Sequence, residues 1–172
     1  MPPDWSRPLD VDRLVAGRSS FELRIPLLAM VRLQDRLAAA TEESVRAQIV
    51  FVRELDTAVA EIVVEATVPL RCERCLRPMQ WSVRSRSRLA LVGDEREAAR
   101  LDAGLEPVSV LQRKVRLLDL VEEEVLLGLP LIARHDRADR GCRPTPWDRM
   151  VITAADRDTE RASMQRPFAE LG

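Results

Sequence analysis

The clearest signal in the chain is strict alternation. Val45, Ala47, Ile49 and Phe51 take every second position, and after Asp56-Thr57 so do Ala60, Ile62, Val64, Ala66, Val68 and Leu70. A period of two puts each set on one side of a strand, which predicts a long antiparallel hairpin with one buried face. A further strand is expected from Gln80 to Val92, with Trp81, Val83, Leu89 and Leu91 on one face and Arg84, Arg86 and Arg88 on the other. Phe21 to Ile25 alternates too and stops at Pro26, so it reads as a short strand near a sheet edge. Another strand is expected near Pro107 to Leu111.

Helical spacing appears in three places. Leu9, Val11, Leu14 and Val15 predict a short helix within Arg7 to Gly17. Met30, Leu33, Leu37 and Ala40 predict a second, of about three turns. The strongest pattern runs from Leu117 to Leu129. There Leu117, Leu118, Val121, Val125 and Leu129 share a face, Glu122 and Glu123 turn away, and Glu124 falls beside the apolar stripe as a half-buried, paired acid. Pro130 ends it. Residues 93–105 are charged and read as an exposed loop, with a helical turn through Glu95 to Leu101.

These elements predict an α+β fold: an antiparallel β-sheet built on the long hairpin, covered by a C-terminal helix, with short N-terminal helices. Val121 and Val125 should meet Ile62, Val64 and Val68 in one core. Residues 1–134 are expected to form a single domain. Residues 135–172 are polar and rich in Arg, Asp and Pro, and read as a tail that wraps the domain or frays.

Composition narrows the function. The 172 residues are 46% hydrophobic and 32% charged, an ordinary globular balance. A net charge of −1 excludes a uniformly basic nucleic-acid binder, so any RNA contact must come from a local patch. The longest apolar run, Val125 to Ala133, is far short of a bilayer span, and Met1 to Trp5 has no basic-then-apolar order. Three cysteines are too few, and odd in number, for a secreted disulfide scaffold. A reduced, cytoplasmic protein without a membrane partner is expected.

Two constellations carry chemistry. Cys72 and Cys75 have the two-residue spacing that turns both thiolates toward one ion, and His135 with Cys142 would complete a tetrahedral zinc site. Two other readings stay open: reduced thiols capping a tight turn, and a redox pair, although such a pair should open a helix rather than precede Pro78 and another strand. The second constellation is a run of arginines. Arg71, Arg74, Arg77, Arg84, Arg86 and Arg88 stand against one acid, Glu73, a local balance of +5. On a strand, alternate arginines stand about 6.7 Å apart, near the phosphate step of an extended single strand, and guanidinium groups grip phosphate bidentately. The competing reading is a strand kept soluble by charge. Trp81 falls on the core side of the alternation rather than among base-stacking positions. Adjacent Glu122, Glu123 and Glu124 diverge on a helix, so they make no joint acid–base site. No phosphate loop, catalytic triad order or H-E-x-x-H pattern is present, so neither catalytic residues nor a small-molecule substrate are expected.

Three segments together resemble a known family. They are Cys72-Glu73-Arg74-Cys75-Leu76-Arg77-Pro78 after a long strand, Leu118 to Pro130 with its three glutamates, and His135 followed by Cys142. In that order and spacing they resemble the YceD-like family of bacterial proteins needed for large-subunit ribosomal RNA to accumulate. Arg166-Pro167-Phe168-Ala169-Glu170-Leu171 resembles that family's tail motif. The resemblance implies a cytoplasmic, non-enzymatic ribosome-biogenesis factor supporting synthesis, processing or stability of 23S ribosomal RNA. Its partners would be that RNA or its assembly and transcription machinery. The alternative is a protein–protein adaptor or structural zinc module without RNA contact. One departure is Arg116, where many relatives carry an aspartate, so the helix that follows must be capped from elsewhere.

Overall fold

The computed structural model describes residues 4–101, 104–136, 139 and 142. Its centre is a five-stranded sheet in the order β2 (Ser20–Pro26), β3 (Ser44–Glu54), β4 (Thr57–Arg71), β5 (Pro78–Val92), β6 (Glu106–Ser109). The first four strands pair antiparallel. The hairpin forms as expected. Leu55 and Asp56 make its turn, with Leu55 in the left-handed region at φ 51° and exposed to solvent. β2 is an edge strand, also as expected, and Phe21 meets Phe51 edge-to-face at 6.1 Å.

Period-two alternation now has a structural counterpart. Val45, Ala47, Ile49, Phe51, Ala60, Ile62, Val64, Val68 and Leu70 all face one core. Val121 and Val125 of α3 (Leu117–Leu127) join them there. The contact between α3 and β5 is close. Trp81 Nε1 donates to the Gly128 carbonyl at 3.0 Å, and a Cβ on Gly128 would lie 2.5 Å from Val83 Cγ1. Only glycine allows that approach. Trp81 is partly buried on this side, in keeping with its place in the alternation.

Several local expectations fail for identifiable reasons. The strand expected at Pro107 to Leu111 forms as β6, but it pairs parallel with β5, so the sheet is mixed. The chain returns through residues 93–105 before re-entering, a crossover rather than a hairpin, with α2 (Glu95–Ala98) capped by Asp94. The three-turn helix over Met30 to Ala40 is instead two 3₁₀ segments, Leu27–Ala29 and Val31–Arg36, joined at an extended Met30. Non-local bonds decide this: Leu37 bridges to Leu70, and Ala38 N–H donates to the Pro69 carbonyl at 2.8 Å. The Arg7 to Gly17 helix shortens to α1 (Val11–Ala16), because β1 (Leu9–Asp10) pairs with β7 (Lys114–Val115). Asp10 caps α1 through Arg13 N–H at 3.0 Å.

At α3 the missing side-chain cap is replaced by main chain. Leu118 N–H donates to the Trp5 carbonyl at 3.0 Å, while Arg116 turns its Nε onto Asp119 at 2.8 Å. Glu122 is not turned away. It is buried, and it accepts the Arg32 backbone N–H at 2.7 Å, so the acid caps a 3₁₀ segment ninety positions upstream. Glu123 does stay half-exposed, paired with Arg32 at 2.5 Å. Glu124 is buried more deeply than expected, at 1% exposure.

Candidate functional site

β4 runs directly into a tight knuckle that β5 leaves. Cys72 N–H donates to the Arg77 carbonyl at 2.9 Å and Leu76 N–H to the Cys72 carbonyl at 2.8 Å, with Leu76 left-handed at φ 60°. A left-handed leucine costs about 1–2 kcal/mol, so this shape is held against local preference. The turn is closed by backbone bonds and does not need its thiols as caps.

The segment after α3 folds back onto this knuckle. Glu73 N–H donates to the Ala133 carbonyl at 2.8 Å, and His135, Asp139 and Cys142 lie against the knuckle as well. The structure thereby unites the four residues expected as ligands. Their donor atoms, Cys72 Sγ, Cys75 Sγ, His135 N and Cys142 Sγ, all lie within 4.8 Å of one another. Cys72 Sγ is 3.7 Å from Cys142 Sγ, and Cys75 Sγ is 3.4 Å from His135 Nδ1. Nε2, the other ring nitrogen, sits 3.3 Å from the Pro78 carbonyl and 3.8 Å from Asp139. That contact favours the tautomer with its proton on Nε2 and leaves Nδ1 facing the sulfurs.

The electrostatics favour thiolate at Cys72 and Cys75 but not at Cys142. Burial pushes the Cys72 thiol up, but backbone N–H groups of His135, Cys75 and Arg74, with the His135 ring, outweigh it and bring it down to about 6. Burial also raises Cys75, where the Arg77 backbone and the Cys142 thiol more than compensate, so it too is lowered. His135 is raised, chiefly by its hydrogen bond to Cys72. Cys142 stays raised by burial, although Arg74 Nε donates to its sulfur at 3.1 Å.

This geometry redistributes the arginines. Arg74 and Arg77 belong to the thiol cluster, Arg74 through Cys142 and the His135 carbonyl, Arg77 through Cys75 and Asp139. Arg71, Arg84, Arg86 and Arg88 lie on the outer face of the sheet, as the alternation requires. Acids are interleaved with them there. Arg88 pairs with Glu54 and, at 3.6 Å, with Glu61; Arg84 stands opposite Glu65; Arg86 stands opposite Val63. Counted by register, the outer face of β2 to β5 has six arginines (24, 46, 71, 84, 86, 88) and four glutamates (22, 54, 61, 65), hence +2. The count of +5 along the chain misses these acids because they arrive from neighbouring strands.

The sequence reading missed one buried polar group partnership. Ser85 and Ser87 face inward and both donate to Glu124 Oε2, at 2.5 and 2.6 Å. A signal was present: on the β5 face that carries Val83 and Leu89, two serines interrupt the apolar positions.

Fold and site define an α+β protein with a preassembled three-cysteine, one-histidine donor set at one end of a mixed sheet. The chain belongs to the family described as large ribosomal RNA subunit accumulation protein YceD, whose match spans residues 60–172 and so takes in the knuckle, β5, α3 and the His135–Cys142 segment. No solved structure matches it. Family membership ties the protein to accumulation of large-subunit ribosomal RNA. Among the described residues no helix is long and apolar enough to cross a membrane. The tail motif Arg166 to Leu171 lies outside the described residues.

Proposed function

We infer that the protein is a non-enzymatic, zinc-stapled binding module that supports accumulation of large-subunit ribosomal RNA in the cytoplasm. The observation that supports this reading is that four donors converge within 4.8 Å of one another, two pairs of them at zinc-like separations. Zinc with bonds of about 2.3 Å to sulfur and about 2.05 Å to nitrogen in a tetrahedron needs sulfurs about 3.8 Å apart and sulfur–nitrogen distances of about 3.5 Å. Separations of 3.7 and 3.4 Å match both. Three thiolates around Zn²⁺ leave one negative charge, and Arg74 and Arg77 are at hand to offset it. With four protein ligands the ion would have no open position, so its part is structural. Zinc would tie residues 133–142 to the knuckle and so fix the arrangement of α3 on the sheet.

Purified protein is expected to hold about one equivalent of zinc, and chelation should lower its Tm, because metal-binding free energy is folding free energy. In cells, Cys75→Ser with Cys142→Ser should reduce large-subunit ribosomal RNA. Metal-free protein of unchanged Tm rejects the staple; normal RNA levels in the double variant reject its role.

RNA contact, where it occurs, is assigned to Arg71, Arg84 and Arg86, since Arg74, Arg77 and Arg88 already hold other partners. The near-balanced outer face favours the alternative, an adaptor that works through protein contacts.

A further inference from the structure

A groove of about 710 Å³ opens between β6 and α3. Leu89, Val108, Val110, Leu120 and Leu127 give it an apolar lining, and Glu124 borders it. Glu124 is 1% exposed, and while its Oε2 takes both serine hydroxyls, its Oε1 is buried without a hydrogen-bond partner among the described residues. A buried polar atom left unsatisfied costs about 1–3 kcal/mol, more when charged, so proteins rarely keep one without a use for it.

A second, independent feature lies along the same groove. Among the described residues β6 is the last strand of the sheet and pairs only with β5, so the far edge of Glu106–Ser109 has backbone groups free of strand pairing, with Pro107 offering a carbonyl but no N–H. Such an edge is a template for another strand. Leu111 and Leu127, both exposed, flank it. Charge selects the occupant. Arg32 pairs with Glu123 and Arg116 with Asp119, which leaves Glu106 and Glu124 against Lys114 alone along the groove.

We propose that this groove captures an extended segment of a partner protein, which adds as a strand to the outer edge of β6 and sets an arginine or lysine side chain on Glu124 Oε1. Residues two positions either side of that basic residue face the same way and meet the apolar lining, so the recognised segment alternates, with apolar, basic and apolar side chains on one face. Backbone pairing supplies affinity, and the buried carboxylate supplies selectivity. This inference goes beyond the zinc staple, and it identifies the kind of partner an adaptor would engage.

The test uses the full-length, metal-loaded protein, labelled with ¹⁵N and titrated with the amidated peptide Thr-Val-Thr-Arg-Thr-Val-Thr and with its norleucine counterpart. Amides of Glu106 to Val110 and of α3 should shift, and the arginine peptide should bind at least tenfold more tightly. Glu124→Gln should erase that preference. Leu127→Lys, a change at an exposed residue where folding is not at stake, should weaken the arginine peptide without lowering Tm. Equal binding of both peptides, shifts elsewhere, no shifts, or a preference that survives Glu124→Gln overturns the proposal. So does Arg166→Gln shifting the same amides without peptide, since the chain's own C-terminal segment would then fill the groove.

Discussion

β5 touches two buried polar clusters, one at its start and one midway along, and they are finished to different degrees. At the start, four donors from two distant segments converge, and the lowered thiols are served by backbone N–H groups and arginines. Midway, one carboxylate oxygen takes two hydroxyls while the other takes nothing from the described residues. Four donors gathered within 4.8 Å of one another are a candidate set for one ion. A half-satisfied carboxylate asks for a hydrogen-bond donor that the described residues do not supply. The same strand thus borders a cluster whose donors are gathered together and a cluster with one acceptor left over among the described residues.

Acidification should separate the two most strongly. Protons compete with a metal for Cys72 and His135. Cys72, depressed to about 6, contributes stability that is fully present above its unfolded value of 9.0 and is lost as pH falls through about 6. His135, raised, works in the opposite sense: its contribution is present below 6.5 and fades as pH rises through the raised value. In metal-loaded protein both ligands must be deprotonated, so the two effects align. Apparent zinc affinity, measured by competition with a chromophoric chelator, should drop on the order of tenfold or more between pH 7.5 and 5.5. An affinity flat across that window would mean that these groups do not bind the metal.

The second cluster predicts an intermediate effect. Ser85→Ala with Ser87→Ala strips Glu124 of its donors and should cost about 1–3 kcal/mol in urea denaturation. Adding Glu124→Leu removes the stranded carboxylate and should recover most of that loss, because apolar replacement of a whole buried polar set is often neutral. If the triple variant is no more stable than the double, the serines matter for some reason other than the carboxylate.

The two clusters also differ in how far the sequence disclosed them. Cys72-x-x-Cys75 is a local pattern with a chemical meaning, and His135 and Cys142 were the only remaining donors of their kinds, so the set could be proposed before its halves were known to meet. The Glu124 network has no motif. Its parts sit on separate elements, and its trace is two serines on the apolar side of β5. Elsewhere the same division holds. Hairpin alternation and the α3 stripe were legible because one buried face writes itself into a short period. The 3₁₀ segments from Leu27, the burial of Glu122 and the parallel β6 depend on partners 17 to 90 residues away, which periodicity does not record. Arg84, Arg86 and Arg88 lie on the outer face as the alternation implied, but Arg74 and Arg77 do not, and the run was overcounted as charge, since Glu61 and Glu65 reach it only across β4–β5 pairing.

That stripe, solvated and satisfied by neither kind of cluster, should be the least sensitive to change. Arg84→Gln with Arg86→Gln should alter stability by under about 0.5 kcal/mol per site, because both side chains are exposed and make no ion pair among the described residues. Its effect on RNA is separable. Each lost phosphate contact to a single strand flattens the slope of log affinity against log salt by about 0.7, so the pair should flatten it by about 1.4. Adding Arg88→Gln should change the slope little further, since Glu54 and Glu61 already hold that guanidinium. The measurement is a salt series of binding to a fluorescent single-stranded RNA. An unchanged slope in the double variant would make the stripe a solubility device of the kind that protects exposed sheets. Functional contact would then shift to the β6–α3 groove, where the unsatisfied carboxylate lies.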